Sequence, residues 1–464
     1  MLKTFRGGVH PPERKELAKD KPIERLAAPG ELVLYLSQHI GAPARAVVEK
    51  GDRVKKGQVV GEAGGFVSAA VHSPVSGTVK AIEPRPHPLG QRVPAIIVEN
   101  DGADEWLESV ETDESAEGIG APETGEAVKK AVPVNRERDF SGMSAADIRN
   151  AIRDAGIVGL GGATFPTHVK LSPMEGKPIT DVVINCAECE PYLTCDYRQM
   201  LEQTEEIVGG LRILMKAVDA PRGWIAVEDN KPDAFEKLRA ASAGDANVRA
   251  EMLRVKYPQG AEHQITAALL GREIPSGGLP IDIGVICQNT GTTVAVYEAV
   301  RLNKPLIERV LTVTGEGVEN PGNYLVPLGT PVAAVLEKAG LRDSANKLII
   351  GGPMMGLAQY TADVAVTKGT SGILALTDAR AYESSACIRC GRCVEVCPWR
   401  LVPSYLSIIC EAKDIEAIKA SDIMDCKECG CCTYGCPAKR PIVQMIRVAK
   451  AFVAKEKAKE KASS

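Results

Sequence analysis

Two short cysteine runs constrain this chain more than any other feature in it. CIRCGRCVEVCP occupies 387–398 and CKECGCCTYGCP occupies 426–437, each spelling C-x2-C-x2-C-x3-C-P. Three thiolates at three-residue spacing in a tight loop turn inward onto one face of a cubane. The fourth, at the start of the next helix, ligates the other cluster in two-cluster ferredoxins. The spacing therefore assigns Cys387, Cys390, Cys393 and Cys436 to one [4Fe–4S] cluster, and Cys426, Cys429, Cys432 and Cys397 to a second. Pro398 and Pro437 redirect the chain after the fourth ligand, while Gly391 and Gly430 let backbone amides approach inorganic sulfur. Two tetrahedral zinc sites are the rival reading, but zinc usually takes C-x2-C pairs rather than two runs of four. Cys431 stands out of register and Cys410 falls on the expected helix between the runs, so both read as packing residues.

Composition narrows the setting. With 56 Lys+Arg against 60 Asp+Glu the net charge is −4, which argues against a nucleic-acid binder held by bulk charge. Aromatic content is only 4%, so the core must come mostly from Ala, Val, Ile and Leu. No apolar run approaches the roughly 18 residues that span a bilayer. The N-terminus MLKTFRGGVHPPERKEL has no apolar core or small-residue cleavage site, which predicts an intracellular chain attached to membranes only through partners. Fourteen cysteines in a reducing compartment point to metal ligation rather than disulfides. A length of 464 residues predicts about three domains.

Residues 31–100 read as short strands broken by Gly and Pro. GDRVKKGQVVGEAGG and VHSPVSGTVKAIEP form two half-repeats similar to the flattened barrels of biotinyl and lipoyl carriers. The intervening FVSAAVH has no Lys to modify, so a structural role is expected. An acidic stretch at 103–127 reads as a surface linker. SAADIRNAIRDAGI has helical spacing and leads into GLGGATFP. From 181 to about 305 strands and helices alternate, with one helix over about 196–217, which favours a largely parallel sheet. A strand at 311–315 and a helix at 331–340 open a smaller domain, and AKEKAKEKASS reads as a solvated tail.

GLGGATF follows a helix and has Thr164 where a dinucleotide fingerprint needs Gly, so its spacing fits a phosphate cradle or a plain turn. In the cradle reading, amides of Gly159, Gly161 and Gly162 line an anion and Lys170 supplies a cation. NCAECEPYLTCDYR follows a strand, where α/β sheets bind ligands. Asn185, Glu188 and Glu190 are placed there to hydrogen-bond a heterocycle, or else the segment is a solvated polar loop. Cys186, Cys189 and Cys195 suggest a third metal site only if Cys287 joins them; buried free cysteines are the alternative.

With TFRGGVHP at the start, the order of these parts closely resembles the RnfC family, peripheral NADH-binding subunits of ion-translocating Rnf complexes. The middle also resembles the NADH- and flavin-binding subunit of respiratory complex I. That family's G-R-G-G-A-G-F-P-T-G reads here Gly159-Leu160-Gly161-Gly162-Ala163-Thr164-Phe165-Pro166-Thr167-His168. Its N-A-D-E-G-E-P becomes Asn185-Cys186-Ala187-Glu188-Cys189-Glu190-Pro191. Y-x-x-G-x-E matches Tyr257, Gly260 and Glu262, and N-N-V-E-T becomes Gln288-Asn289-Thr290-Gly291-Thr292. The departures are Leu160 for Arg, Ala187 for Asp and Thr164 for Gly, and a two-cluster module replaces the family's single cluster motif.

The resemblance implies a multidomain α/β chain: a barrel-sandwich hybrid (1–102), the acidic linker (103–135), an α/β FMN/NADH-binding domain (136–305), a ubiquitin-like SLBB β-grasp module (306–378), a ferredoxin-like α-helical domain (379–445) and a Lys-rich tail (446–464). It implies FMN against Gly159, Gly161, Lys170, Asn185, Asn289 and Thr290, and NADH near Phe165 with Glu188 and Glu190 beside it. Electrons would pass between NADH, FMN and the clusters, and on to Rnf membrane subunits and a ferredoxin-like iron–sulfur subunit at the cytoplasmic face of the membrane. Ferredoxin itself is an indirect partner. The same modules also resemble corrinoid reductases of microcompartments, and a flavin-free electron-carrying adaptor is the alternative from another class.

Overall fold

A computed structural model describes residues 2–112, 129–133, 137–379 and 382–463. Alternating inward residues build the barrel: Leu32, Leu34, Val79, Ile96 and Val98 pack against Val54, Val60 and Val71. Its larger sheet runs Glu31–Tyr35, Arg92–Asn100, Gly77–Pro86, Arg53–Val54, all antiparallel, and faces a three-stranded sheet of Arg45–Ala46, Val59–Glu62 and Val71–His72.

Within the N-terminal domain the barrel strands begin at Glu31. The preceding residues form a strap across the other domains. Lys3 bridges Leu253, Val9 bridges Tyr257, and Ile23–Arg25 adds a parallel strand to Gly322–Pro327. TFRGG is built for this path, since Gly8 has φ +82 and a Cβ there would sit 2.6 Å from the Tyr257 carbonyl. Part of the expected linker forms strands: Glu108–Thr112 pairs antiparallel with Lys129–Pro133. Most of its acidic stretch, 113–128, lies outside the described residues.

The central domain is a four-stranded parallel sheet ordered Val248–Leu253, Arg222–Glu228, Asp181–Cys186, Val285–Asn289. Its middle strands are apolar because helices cover both faces. The helix expected over about 196–217 is two, Cys195–Glu202 and Thr204–Ala217, broken where Gln203 leaves helical geometry at φ −128, ψ 39. A six-stranded mixed sheet follows, with Glu308–Thr314 and Gly372–Leu376 at its centre.

The C-terminal module packs five helices around Leu406, Ile409, Ile423, Ile442 and Ile446. Each fourth cysteine sits past the end of a short helix, Cys397 after Arg392–Glu395 and Cys436 after Cys431–Gly435, rather than at the start of the next one. The end from 446 is not all tail: Ile442–Ser463 is one helix, with Ile446, Ala449 and Val453 buried in the module and Ala454, Lys455 and Lys459 exposed beyond them. Apolar residues at helical spacing, followed by Ala, Lys and Glu, the strong helix formers, carry it through. Among the described residues no helix is long and apolar enough to cross a membrane.

A chain ending at Met445 removes the buried Ile446 and Val453. It is expected to lose about 3–6 kcal/mol from this module, at about 1.5–3 kcal/mol for each side chain. Urea unfolding and limited proteolysis measure this, and an unchanged midpoint would restore the tail reading.

Candidate functional site

Strand Asp181–Cys186 is the point where the sheet order reverses, because the chain runs outward to Val248–Leu253 and returns on the other side as Val285–Asn289. Parallel sheets bind ligands at the carboxyl ends of strands flanking such a switch. Asn185 and Asn289 are register partners at those ends. The Asn185 amide donates to the Gly260 carbonyl at 2.7 Å, and its own carbonyl accepts from the Thr290 hydroxyl at 3.1 Å. Asn289 caps helix Thr290–Leu302 by accepting from the Thr292 amide, and donates to Asp196 Oδ2 at 2.7 Å.

The Gly-rich loop meets this pair. A Cβ at Gly161 would lie 2.7 Å from the Asn289 side chain, so only glycine allows the approach. The Gly159 amide is spent on the Phe165 carbonyl, which closes the loop. The Gly161 and Gly162 amides meet no acceptor among the described residues, and both residues are exposed. Phe165 is half-buried behind them. Lys170 pairs with Glu262 and donates to the Cys287 carbonyl at 2.5 Å, and the flanking charge holds its ammonium above its usual range despite burial. Gly161, Asn185, Gly260, Asn289 and Thr290 are thus linked by direct contacts, and Glu262, two residues past Gly260, carries the Lys170 pair.

Glu188 and Glu190, which the resemblance places beside NADH, each have protein partners of their own. Both are tied into the protein by backbone amides. Glu188 accepts from the Asp196 and Tyr197 amides at the start of helix Cys195–Glu202 and lies 3.7 Å from Lys15. Glu190 accepts from the Met354 and Met355 amides of the β-grasp module, and burial pushes its carboxyl up to about 7. The extra cysteines do not converge either. Cys186 accepts from Thr290 at 3.4 Å, Cys189 from the Gly260 amide at 3.3 Å, and Cys195 donates to the Ser371 carbonyl at 3.3 Å. Burial pushes the Cys186 and Cys287 thiols up to about 12, the condition of inert packing residues. Sequence reasoning missed Asp196, which is half-buried beside Asn289, and Lys15, whose ammonium gathers the carbonyls of Glu188, Glu190 and Leu193. An acidic residue in a first helical turn and a lysine near the N-terminus carry no local signal.

The eight in-register cysteines line two cavities. Cys387, Cys390, Cys393 and Cys436 line one, and Cys397, Cys426, Cys429 and Cys432 line the other. Each cavity takes three cysteines from one run and the fourth from the other run. Cys431 also borders the second cavity, with its thiol 3.9 Å from the Tyr257 carbonyl. That cavity abuts the α/β domain: the Tyr257 hydroxyl donates to the Cys429 carbonyl at 2.7 Å, Gln264 donates to the Pro398 carbonyl at 3.2 Å, and the Gly8 amide donates to the Val396 carbonyl at 2.9 Å. The first cavity faces outward, with Cys390 exposed and Ile388 64% exposed.

A Gly-rich loop over the switch point of a parallel sheet, with one of two cysteine-lined cavities set against the same domain, is the arrangement of a flavin-type electron-transfer protein with a two-cluster ferredoxin module. Comparison with known proteins agrees along the chain. The RnfC barrel sandwich hybrid domain matches 3–103, the Nuo51 FMN-binding domain 152–298, the SLBB domain 310–358 and a 4Fe-4S binding domain 381–400. The chain is 44% identical over 455 residues to the C subunit of the proton-translocating ferredoxin:NAD(+) oxidoreductase complex of Clostridium ljungdahlii, covering 97% of this chain and 94% of that one. It is 44% identical to the C subunit of the Na(+)-translocating complex of Acetobacterium woodii, covering 96% of each chain. It is 39% identical to the C subunit of the ion-translocating oxidoreductase complex of Rhodobacter capsulatus, covering 96% of this chain and 82% of that one. The chain belongs to this family, the C subunits of ion-translocating ferredoxin:NAD+ oxidoreductase (Rnf) complexes.

Burial, reinforced by Glu188, pushes the Asp196 carboxyl up to about 7. The native state therefore holds a proton that the unfolded chain releases near its ordinary value. That contribution is complete below the unfolded pKa and fades as pH rises to about 7. Asp196→Asn is expected to shrink the stability difference between about pH 5 and about pH 8 by roughly 2–3 kcal/mol. Melting curves of both proteins at the two pH values measure it, and parallel pH dependences would contradict it.

Proposed function

We propose that this chain is the electron-input subunit of a membrane-bound, ion-translocating NADH:ferredoxin oxidoreductase, working from the cytoplasmic face. The observation that carries the reading is the join at Tyr257, which sets a cysteine cavity directly against the α/β cleft. When bound, FMN and two [4Fe–4S] clusters supply the passage from two-electron to one-electron transfer.

The protein's own part is to hold and orient. Asn185, Asn289 and Thr290 form the floor of the flavin cleft, and the open amides of Gly161 and Gly162 are its anion-facing edge. The Lys170–Glu262 pair flanks the cleft and Phe165 borders the nicotinamide side. Cys397, Cys426, Cys429 and Cys432 hold the near cluster, while Cys387, Cys390, Cys393 and Cys436 hold the far one. Tyr257, Val9 and Gln264 fix the near cavity against the cleft. The exposed Cys390 loop leaves the far cavity open to a partner subunit. With no apolar helix long enough to cross a bilayer among the described residues, ion movement falls to other subunits of the complex. The names of the relatives favour this reading over a corrinoid reductase.

Cys390→Ala is expected to lose about half of the iron while keeping NADH-dependent flavin reduction nearly intact. Retention of all the iron would remove Cys390 from the ligand set. In the wild-type protein an anaerobic NADH titration should bleach a flavin band and then raise reduced-cluster EPR signals. Clusters that answer dithionite but not NADH, in protein reconstituted with FMN, would demote the chain to an adaptor.

A further inference from the structure

Two buried N–H groups in the ferredoxin module find no acceptor among the described residues, and each belongs to a residue lining a different cysteine cavity. Arg440 lines the outer cavity and is 4% exposed. Its Nη2 donates to Glu411 Oε2 at 2.7 Å, which leaves Nε without a partner. Trp399 lines the inner cavity, and its indole Nε1 is buried and unpaired. Folded proteins rarely leave such donors unsatisfied. Each here stands beside four thiol ligands, and a cluster bound by thiolates offers anionic sulfur acceptors.

We propose that Arg440 Nε and Trp399 Nε1 each donate to the sulfur shell of the cluster in its own cavity, and that this pair makes the outer cluster the more easily reduced of the two. The proposal rests on the cluster reading given above. Reduction adds one electron, and hence one negative charge, to a cluster. A donor that strengthens with that charge favours the reduced state, and hydrogen bonds to cluster sulfur are among the determinants of potential. A guanidinium brings a full positive charge as well as its N–H, whereas an indole brings the N–H alone.

The surrounding charges act in the same sense. Glu411 offsets Arg440 only in part, because its carboxylate is 57% exposed and screened by water. Exposed Arg389, Arg392 and Lys439 add positive charge at the outer cavity, against Glu395. At the inner cavity Lys450 donates to the Cys426 carbonyl and shares Glu428 with Arg447, and exposed Lys427 is offset by neighbouring Asp425. An electron entering from the cleft side therefore rests preferentially on the outer cluster, beside the exposed Cys390 loop.

The test is an anaerobic redox titration of the full-length holoprotein followed by EPR, with the outer-cluster signal identified by its loss in Cys390→Ala. In wild type the outer cluster is expected to titrate at the higher potential. Arg440→Gln should lower the outer cluster's reduced-to-oxidised ratio at a fixed potential about tenfold, equivalent to about 59 mV for one electron, and leave the inner cluster in place. Trp399→Phe should shift only the inner cluster, in the same direction and by less. If Arg440→Gln loses iron, Arg440→Lys, which keeps the charge without Nε, is expected to give a smaller shift of the same sign. Full iron with an unmoved outer cluster in Arg440→Gln, or in Arg440→Lys where Gln loses iron, would overturn the proposal. A wild-type protein showing no pair of cluster signals would overturn the cluster reading itself.

Discussion

The bond from the Tyr257 hydroxyl to the Cys429 carbonyl joins the two halves of this molecule. The same residue pairs with Val9 through both main-chain groups, at 2.9 and 3.0 Å, and so draws the N-terminal strap into the joint. Around it Val9, Cys429 and Cys431 are buried together, with Cys189, Met354, Val396 and Trp399 packed against them. That cluster takes residues from the strap, the α/β domain, the β-grasp module and the ferredoxin module. Burial lifts the tyrosine's ionisation far above its ordinary value, so the hydroxyl remains a donor at any physiological pH. A carbonyl left unpaired there would cost about 1–3 kcal/mol, which selects one arrangement of the modules over others.

Buried lysines hold the remaining domain contacts in the same way. The Lys368 ammonium donates to the carbonyls of Ala70 at 2.6 Å and Gly156 at 2.7 Å, tying the barrel and the α/β domain to the β-grasp module that carries it. Burial alone pulls its pKa down to about 7. The Lys15 ammonium gathers carbonyls of the loop after strand Asp181–Cys186, and Lys231 donates to the Ala187 carbonyl at 2.6 Å. A buried cation bound to carbonyls gives little net stability but is costly to strand, so it works mainly as a registration device. Ala187 stands where the complex I flavoprotein motif has an aspartate, and its carbonyl meets one of these lysines.

The parts legible in the sequence are those whose chemistry is local. Cluster spacing is local because four thiolates must surround one small object, and the two cavities are lined by the sets of cysteines that the spacing assigns. Asn185 could be read as a ligand-facing candidate because it follows an apolar strand, whereas Asn289, its register partner, comes only from the resemblance to the complex I flavoprotein. The destinations of Glu188 and Glu190 could not, because both depend on partners far along the chain: Lys15 for one, the Met354–Met355 amides for the other. The path of the strap and the buried face of the C-terminal helix could not be read for a related reason. A lysine-rich segment reads as solvated until its few apolar residues, Ile446, Ala449 and Val453, are seen to share one buried face.

The same separation between local signal and distant partner accounts for Leu160. The complex I flavoprotein motif places an arginine at this point of the Gly-rich loop, and its loss suggests a weakened anion site. Leu160 is instead buried, its amide bonded to the Thr292 hydroxyl at 2.8 Å. Its carbonyl accepts at 3.3 Å from Arg309, on strand Glu308–Thr314 of the next sheet. A guanidinium therefore does reach the loop, delivered by the β-grasp module instead of by the loop itself. Arg309 is 5% exposed, and burial pulls its pKa below the ordinary arginine value, with Asp196 beside it acting in the opposite sense. Moving a cation from an exposed loop to a buried strand trades reach for fixed position, which makes the electrostatics of the cleft depend on how the β-grasp module docks.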